Sequence, residues 1–107
     1  MEQGLTIEPA ALVEMLKRGE RFLLLDCREP REYEIARLEG STLIPMSEVA
    51  KNLDRIPKDQ PVVVYCHAGR RSLDVASWLR QQGVDALSLS GGIERWSREI
   101  DPKVPRY

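Results

Sequence analysis

The chain has 107 residues, 42% of them hydrophobic and 31% charged, which suits one domain with a core of its own. Sixteen Lys and Arg stand against 17 Asp and Glu, a formal net charge of −1, so the overall basic field used in nonspecific nucleic-acid binding is missing. No apolar run approaches the roughly eighteen residues of a membrane span, and "MEQGLTIEPA" carries neither a basic nor an apolar leader region, so a cytoplasmic protein is expected.

In chain order, "LTI" (5–7) reads as a short edge strand. "EPAALVEMLKRG" follows as a helix with Pro9 in its first turn, Leu12, Met15 and Leu16 on its apolar face and Gly19 at its end. "RFLLLD" (21–26) is a short apolar run, hence a buried strand. "EPREYEIARL" opens on Pro30 and predicts a short helix packed through Tyr33, Ile35 and Leu38. "STLIP" (41–45) predicts a strand stopped by Pro45. "SEVAKNLDRI" predicts a helix with Ser47 as N-cap and Val49, Leu53 and Ile56 on one face.

"PVVVYC" (61–66) is the most β-branched run and predicts the central strand. "RSLDVASWLRQQG" (71–83) predicts a helix with Leu73, Val75, Ala76, Trp78 and Leu79 inward and Gly83 as its cap. "DALSLSGG" supplies a last strand, 86–90, and "IERWSREI" a closing helix. Pro102 and Pro105 keep the tail, 100–107, extended. Trp78 and Trp96 read as core, and the charge runs at 14–21 and 94–103 as solvated faces. Apolar strands alternating with helices imply a three-layer α/β domain over residues 1–107, with a central, mainly parallel sheet flanked by helices. Ligands in such sheets bind beyond the carboxyl ends of the strands. Cys66 and the segment from Asp26 to Arg28 both fall there.

The two cysteines, Cys27 and Cys66, and the one histidine, His67, lack the number and spacing of a metal site. In a reducing compartment both cysteines are thiols at rest. "CHAGRRS" combines what favours a thiolate: a helix N-terminus, cations and inward backbone N–H groups. Gly69 permits a tight turn that makes an anion nest, and Arg70 and Arg71 add charge. A phosphatase loop runs from Cys through five residues to Arg. Here the sixth position is Ser72 and the nearer arginine is Arg71. The shorter loop makes a smaller bowl, sized for one added sulfur on Cys66 rather than a phosphoryl group.

Four stretches resemble the rhodanese family of sulfurtransferase domains, and together they span nearly the whole chain. "LLLDCREPREYEIARLEGSTLIP" resembles the family's Asp-x-Arg to Ile-Pro segment, "VVVYCHAGRRS" its Cys-x-x-Gly-x-Arg-Ser loop, and "LSGGIERW" its closing Gly-Gly-hydrophobic-x-x-Trp. "EIDPKVPRY" resembles the tail of rhodanese domains fused to enzymes that adenylate sulfur-carrier proteins. The chain departs from the family at Ala36-Arg37-Leu38, usually Gly-His-Ile, and at Gly40-Ser41, usually Gly-Ala. Neither change touches the bowl.

The resemblance implies that Cys66 takes sulfane sulfur from a small anionic donor such as thiosulfate, holds it as a persulfide, and yields it to a thiophilic acceptor, which in cells can be a protein. It also implies that the backbone of His67, Ala68, Gly69, Arg70 and Arg71 stabilises the added sulfur. Arg70 captures the donor from solvent, and Arg71 turns inward to brace the loop. Asp26 is the expected partner of Arg71, with Arg28 and Ser72 in support. No cofactor or metal, no nucleic acid and no membrane are implied, and a monomer is expected.

Plainer readings stand beside these. Cys66 could be a buried strand-end cysteine, though such residues sit in apolar surroundings. Cys27 reads first as a small buried hydrophobe; its sharper alternative is a resolving thiol that pairs with Cys66 or relays its sulfur. His67 as general base is disfavoured, because an adjacent residue seldom reaches back. Arg28 and Glu32 read as a helix-start ion pair, and Asp26 as either brace or turn residue. The rival functions are a phosphatase or arsenate reductase on the same scaffold, and a module that docks or carries sulfur only with its partner.

Overall fold

A computed structural model describes residues 4–107. Its sheet is built from β1 (Thr6–Ile7), β2 (Leu23–Asp26), β3 (Thr42–Leu43), β4 (Val62–Tyr65) and β5 (Ala86–Leu89). The order across the sheet is β1-β5-β4-β2-β3, and every pairing is parallel. As predicted, "VVVY" is central: all four of its residues are buried. The helices are α1 (Pro9–Lys17), α2 (Pro30–Ile35), α3 (Arg70–Gln81) and α4 (Gly92–Glu99).

Side chains alternate across a strand, and here the alternation divides the core in two. Leu25, Val62, Val64 and Ala86 face α3, packing on Val75, Ala76 and Leu79. Leu24, Val63, Tyr65 and Leu89 face α1 and α4, packing on Leu12, Met15, Ile93 and Trp96. Cys27 and Cys66 continue the first set beyond the strand ends. Among the described residues, no helix is long and apolar enough to cross a membrane.

Several expectations are corrected. Segment 46–55 is not an α-helix but two 3-10 stretches, Met46–Glu48 and Ala50–Arg55, with Ser47 inside the first rather than capping it. Asn52 leaves helical geometry, at φ −112° and ψ 22°, while its side-chain amide donates to the Glu48 carbonyl, the kind of local bond that competes with a helix. α2 buries Glu32, whereas Ile35 is exposed and Leu38 packs in the core from beyond the helix end. Leu16 is 47% exposed, because Pro9, Leu12 and Met15 fill the inner face of α1. The helix predicted from Arg71 starts one residue earlier, at Arg70.

The tail is not simply extended. Val104 N donates to the Asp101 carbonyl and Ser97 Oγ donates to that of Val104, closing a turn. The last residues then cross toward the carboxyl ends of β2 and β4, where the Tyr107 hydroxyl meets Arg28.

Candidate active site

Cys66 follows β4 directly and is buried at the floor of the loop that leads into α3. Gly69 N–H donates to its Sγ at 3.1 Å and Ser72 N–H at 3.3 Å. The thiol itself donates to Ser72 Oγ at 3.3 Å, and Ser72 Oγ shares a 2.7 Å hydrogen bond with Ser88 Oγ of β5. When the thiol ionises, the Ser72 hydroxyl can turn to donate. The first N–H groups of a helix have no intrahelical acceptor, so the head of α3 aims donors at the loop.

Glycines hold these amides inward. Gly69 has φ +102°, and a Cβ there would lie 3.1 Å from Gly91 N. The neighbouring carbonyls are drawn the other way. Ile93 N–H donates to Cys66 O at 2.9 Å and Glu94 N–H to His67 O at 3.0 Å, both from the first turn of α4. Gly92, at φ +62°, lets that turn approach, since a Cβ there would meet His67 O at 2.4 Å. The Gly-Gly segment that ends β5 thus turns carbonyl oxygens away from the sulfur.

This environment lowers the Cys66 pKa to about 5. The proton offered by the adjacent Cys27 thiol has the largest effect; burial opposes it, and the Ser72 hydroxyl with the Ser72 and Gly69 amides adds to it. Cys27 is pushed the other way, by the neighbouring Cys66 sulfur and by burial. Neutral donors rather than arginine charge lead the effect on the sulfur.

The arginines divide as expected, but their partners differ. Arg70 is exposed at the head of α3. Arg71 turns in, and makes a two-pronged ion pair with Glu32 at 2.8 and 3.0 Å, not with Asp26. Asp26 points to the opposite face of the sheet, where it pairs with Arg28 through Nε at 2.9 Å and Nη2 at 2.6 Å. Both side chains are fully buried. The expected Arg28–Glu32 ion pair is therefore replaced by two pairs, Asp26–Arg28 and Glu32–Arg71. Glu32 also accepts from Glu29 N–H in a capping box. Its carboxyl is held down to about 2, mainly by Arg71 and against burial. Arg28 further donates to the Ala36 carbonyl at 2.6 Å. Ser41, where the family usually has alanine, accepts the Tyr65 hydroxyl at 3.0 Å.

Tyr107 joins the two pairs, and with Glu32 it is the part of the site that sequence patterns do not reveal. Its hydroxyl accepts from Arg28 Nη1 at 2.7 Å and donates to Glu32 at 2.8 Å. Its ring meets the His67 ring edge-on, with centroids 4.3 Å apart. His67 therefore faces the tail rather than acting on Cys66, and its buried Nδ1 has no hydrogen-bond partner among the described residues. Ala68 is exposed at the loop tip. Tyr107→Phe keeps the ring and loses both bonds to charged groups. It is expected to lower unfolding free energy by about 1–2 kcal/mol, read from urea denaturation. An unchanged midpoint would show the hydroxyl to be idle.

A parallel five-stranded sheet with a cysteine loop between its central strand and the next helix defines a class, and comparison with known proteins agrees. The model of the rhodanese-like domain matches residues 8–99. A protein named sulfurtransferase from Allochromatium vinosum is 37% identical over 99 residues, 92% of each chain. The probable adenylyltransferase/sulfurtransferase MoeZ of Mycobacterium tuberculosis is 34% identical over 108 residues, which covers 98% of this chain but only 28% of MoeZ. The crystal structure of a rhodanese-related protein from Thermoplasma volcanium superposes with a TM-score of 0.83 at 31% identity, covering 95% of this chain and 98% of that one. The chain belongs to the rhodanese-like domain family.

Proposed function

We propose that the chain is a sulfurtransferase working through a persulfide on Cys66. The Cys66 thiolate attacks the sulfane sulfur of an anionic donor such as thiosulfate. A Cys66–sulfur bond forms, the donor's S–S bond breaks, and sulfite leaves with the electron pair. A thiophile, either a small thiol or a protein, then attacks the outer sulfur and regenerates the thiolate, in two covalent half-reactions. The loop amides from His67 to Arg71 oppose the negative outer sulfur, and Arg70 draws the donor in. Sulfurtransferase names among the relatives support the reaction class. MoeZ, which this chain matches over about a quarter of its length, also carries sulfurtransferase in its name.

The observation that carries this reading is the convergence of the Gly69 and Ser72 amides on the Cys66 sulfur, in a loop one residue shorter than a phosphate-binding one. Intact-mass spectrometry immediately after thiosulfate treatment tests it. A gain of one sulfur, about 32 Da, is expected. Aryl-phosphate hydrolysis without any such gain would move the chain to the phosphatase class.

A further inference from the structure

We infer that Cys27 is a resolving thiol, which gives the chain a second outlet: release of inorganic sulfide when no acceptor takes the persulfide. This rests on the persulfide reading above.

The placement comes from strand register. β2 and β4 pair with Asp26 opposite Tyr65. The Cys27 N–H continues that ladder by donating to the Tyr65 carbonyl at 3.1 Å. The next opposed pair is Cys27 and Cys66, both on the α3 face of the sheet and both buried. Adjacent strands run about 4.8 Å apart, inside the roughly 4.4–6.8 Å between Cα atoms that a disulfide takes. Both backbones are pinned beyond the ladder, since Met46 N–H donates to Cys27 O and Ile93 N–H to Cys66 O, each at 2.9 Å.

The surroundings decide which thiol loads and which resolves. The loop covers Cys66 with donors suited to a negative outer sulfur, and Cys27 flanks it from the β2 side. Cys27 has no bowl of its own, so a donor anion has no reason to meet it. An added sulfur extends from Cys66 into the loop and leaves the Cys66 Sγ open to its neighbour.

The step balances without an outside oxidant. The Cys27 sulfur attacks Cys66 Sγ, so a Cys27–Cys66 bond forms and the bond from Cys66 to its outer sulfur breaks. The outer sulfur leaves with the electron pair, takes the Cys27 proton and departs as hydrosulfide. The two cysteines are oxidised to a disulfide while the sulfane sulfur is reduced. A dithiol reductant then restores both thiols.

The test follows one loaded sample over time, without oxygen, acceptor or excess thiosulfate. Loading is run to completion at about pH 9, where an ordinary thiol ionises too, so a change in Cys66 acidity in a variant does not limit it. On standing, the parent chain is expected to release one equivalent of sulfide, and its mass to fall to about 2 Da below that of the reduced protein. Peptide mapping without reductant should recover a Cys27–Cys66 cross-link. Cys27→Ser should keep the extra sulfur at least about tenfold longer. Equal lifetimes in the two proteins, or sulfide release from the parent chain without the cross-link, would overturn the assignment. The cross-link is read in the unaltered chain, so the test holds however the variant folds. Failure of the persulfide reading looks different, because neither protein would gain sulfur at the first time point.

Discussion

Cys66→Ser is expected to abolish thiocyanate formation from thiosulfate and cyanide while leaving the fold intact. Serine keeps a group that can bond Ser72 Oγ and accept the two loop amides, so the floor of the loop stays satisfied. It does not ionise near neutrality and cannot hold sulfane sulfur. The thiolate itself has a measurable signature. With its pKa lowered to about 5, Cys66 is expected to be mostly thiolate at pH 7, where a free cysteine near 8.5 is only about 3% ionised. The rate of alkylation by iodoacetamide should therefore rise with pH through about 5 and level off by neutrality. Ser72→Ala removes one donor and should move that midpoint upward. A parent midpoint between 8 and 9 would mean that the loop does not stabilise the anion.

What is legible in the sequence follows the range of the interactions involved. The Val62–Tyr65 strand, the loop and the helix after it are contiguous, and local pattern reveals all three. The partner of Arg71 is misread for a reason of parity. Asp26 does end the neighbouring strand, but alternation sends its side chain to the α1 and α4 face with Tyr65, away from Cys66. Counting by twos from Leu25 places Cys27, not Asp26, on the Cys66 side. Glu32 reads in sequence as the helix-start partner of Arg28; that its carboxylate instead caps α2 through Glu29 N–H and reaches Arg71, 39 residues away, is a tertiary fact. Tyr107 lies 75 and 79 residues from its two partners, and nothing near it in sequence announces a role. The 46–55 segment has helix-spaced apolar residues, yet Pro45 and Pro57 bracket it and Asn52 bonds back to its own turn.

The closing Gly91-Gly92 pair is the clearest case of a motif whose meaning lies in geometry. It reads in sequence as the end of a strand. In the fold its second glycine begins α4 and brings that helix's amides onto the Cys66 and His67 carbonyls. A peptide unit can offer only one of its two ends to a given side. With the carbonyls committed to α4, the N–H groups beyond them are free to line the loop. The catalytic bowl proposed here is thus assembled by two helix N-termini, α3 supplying donors directly and α4 orienting the chain between them.

Beneath that bowl the largest stability effect is expected from Asp26→Ala. Arg28 is fully buried, and its charge is balanced by Asp26 through two short hydrogen bonds. Its other partners, the Ala36 carbonyl and the Tyr107 hydroxyl, are neutral. Removing the carboxylate leaves a buried cation uncompensated, a loss of about 3–5 kcal/mol. In a chain of this size each kcal/mol moves the melting temperature by about 4–8 °C, so a fall of more than about 10 °C is expected, followed by tryptophan fluorescence. Asp26→Leu combined with Arg28→Met removes both charges and should cost less than Asp26→Ala alone, because no ion is stranded. A single variant within about 1 kcal/mol of the parent would mean that water reaches the guanidinium. The double variant also separates stability from function. It cuts Arg28 from Tyr107, and so frees the hydroxyl to serve Glu32 alone. If Glu32 and Arg71 brace the loop by themselves, thiocyanate formation should survive in the double variant. If it falls while the fold holds, the brace extends through Tyr107 to the buried pair.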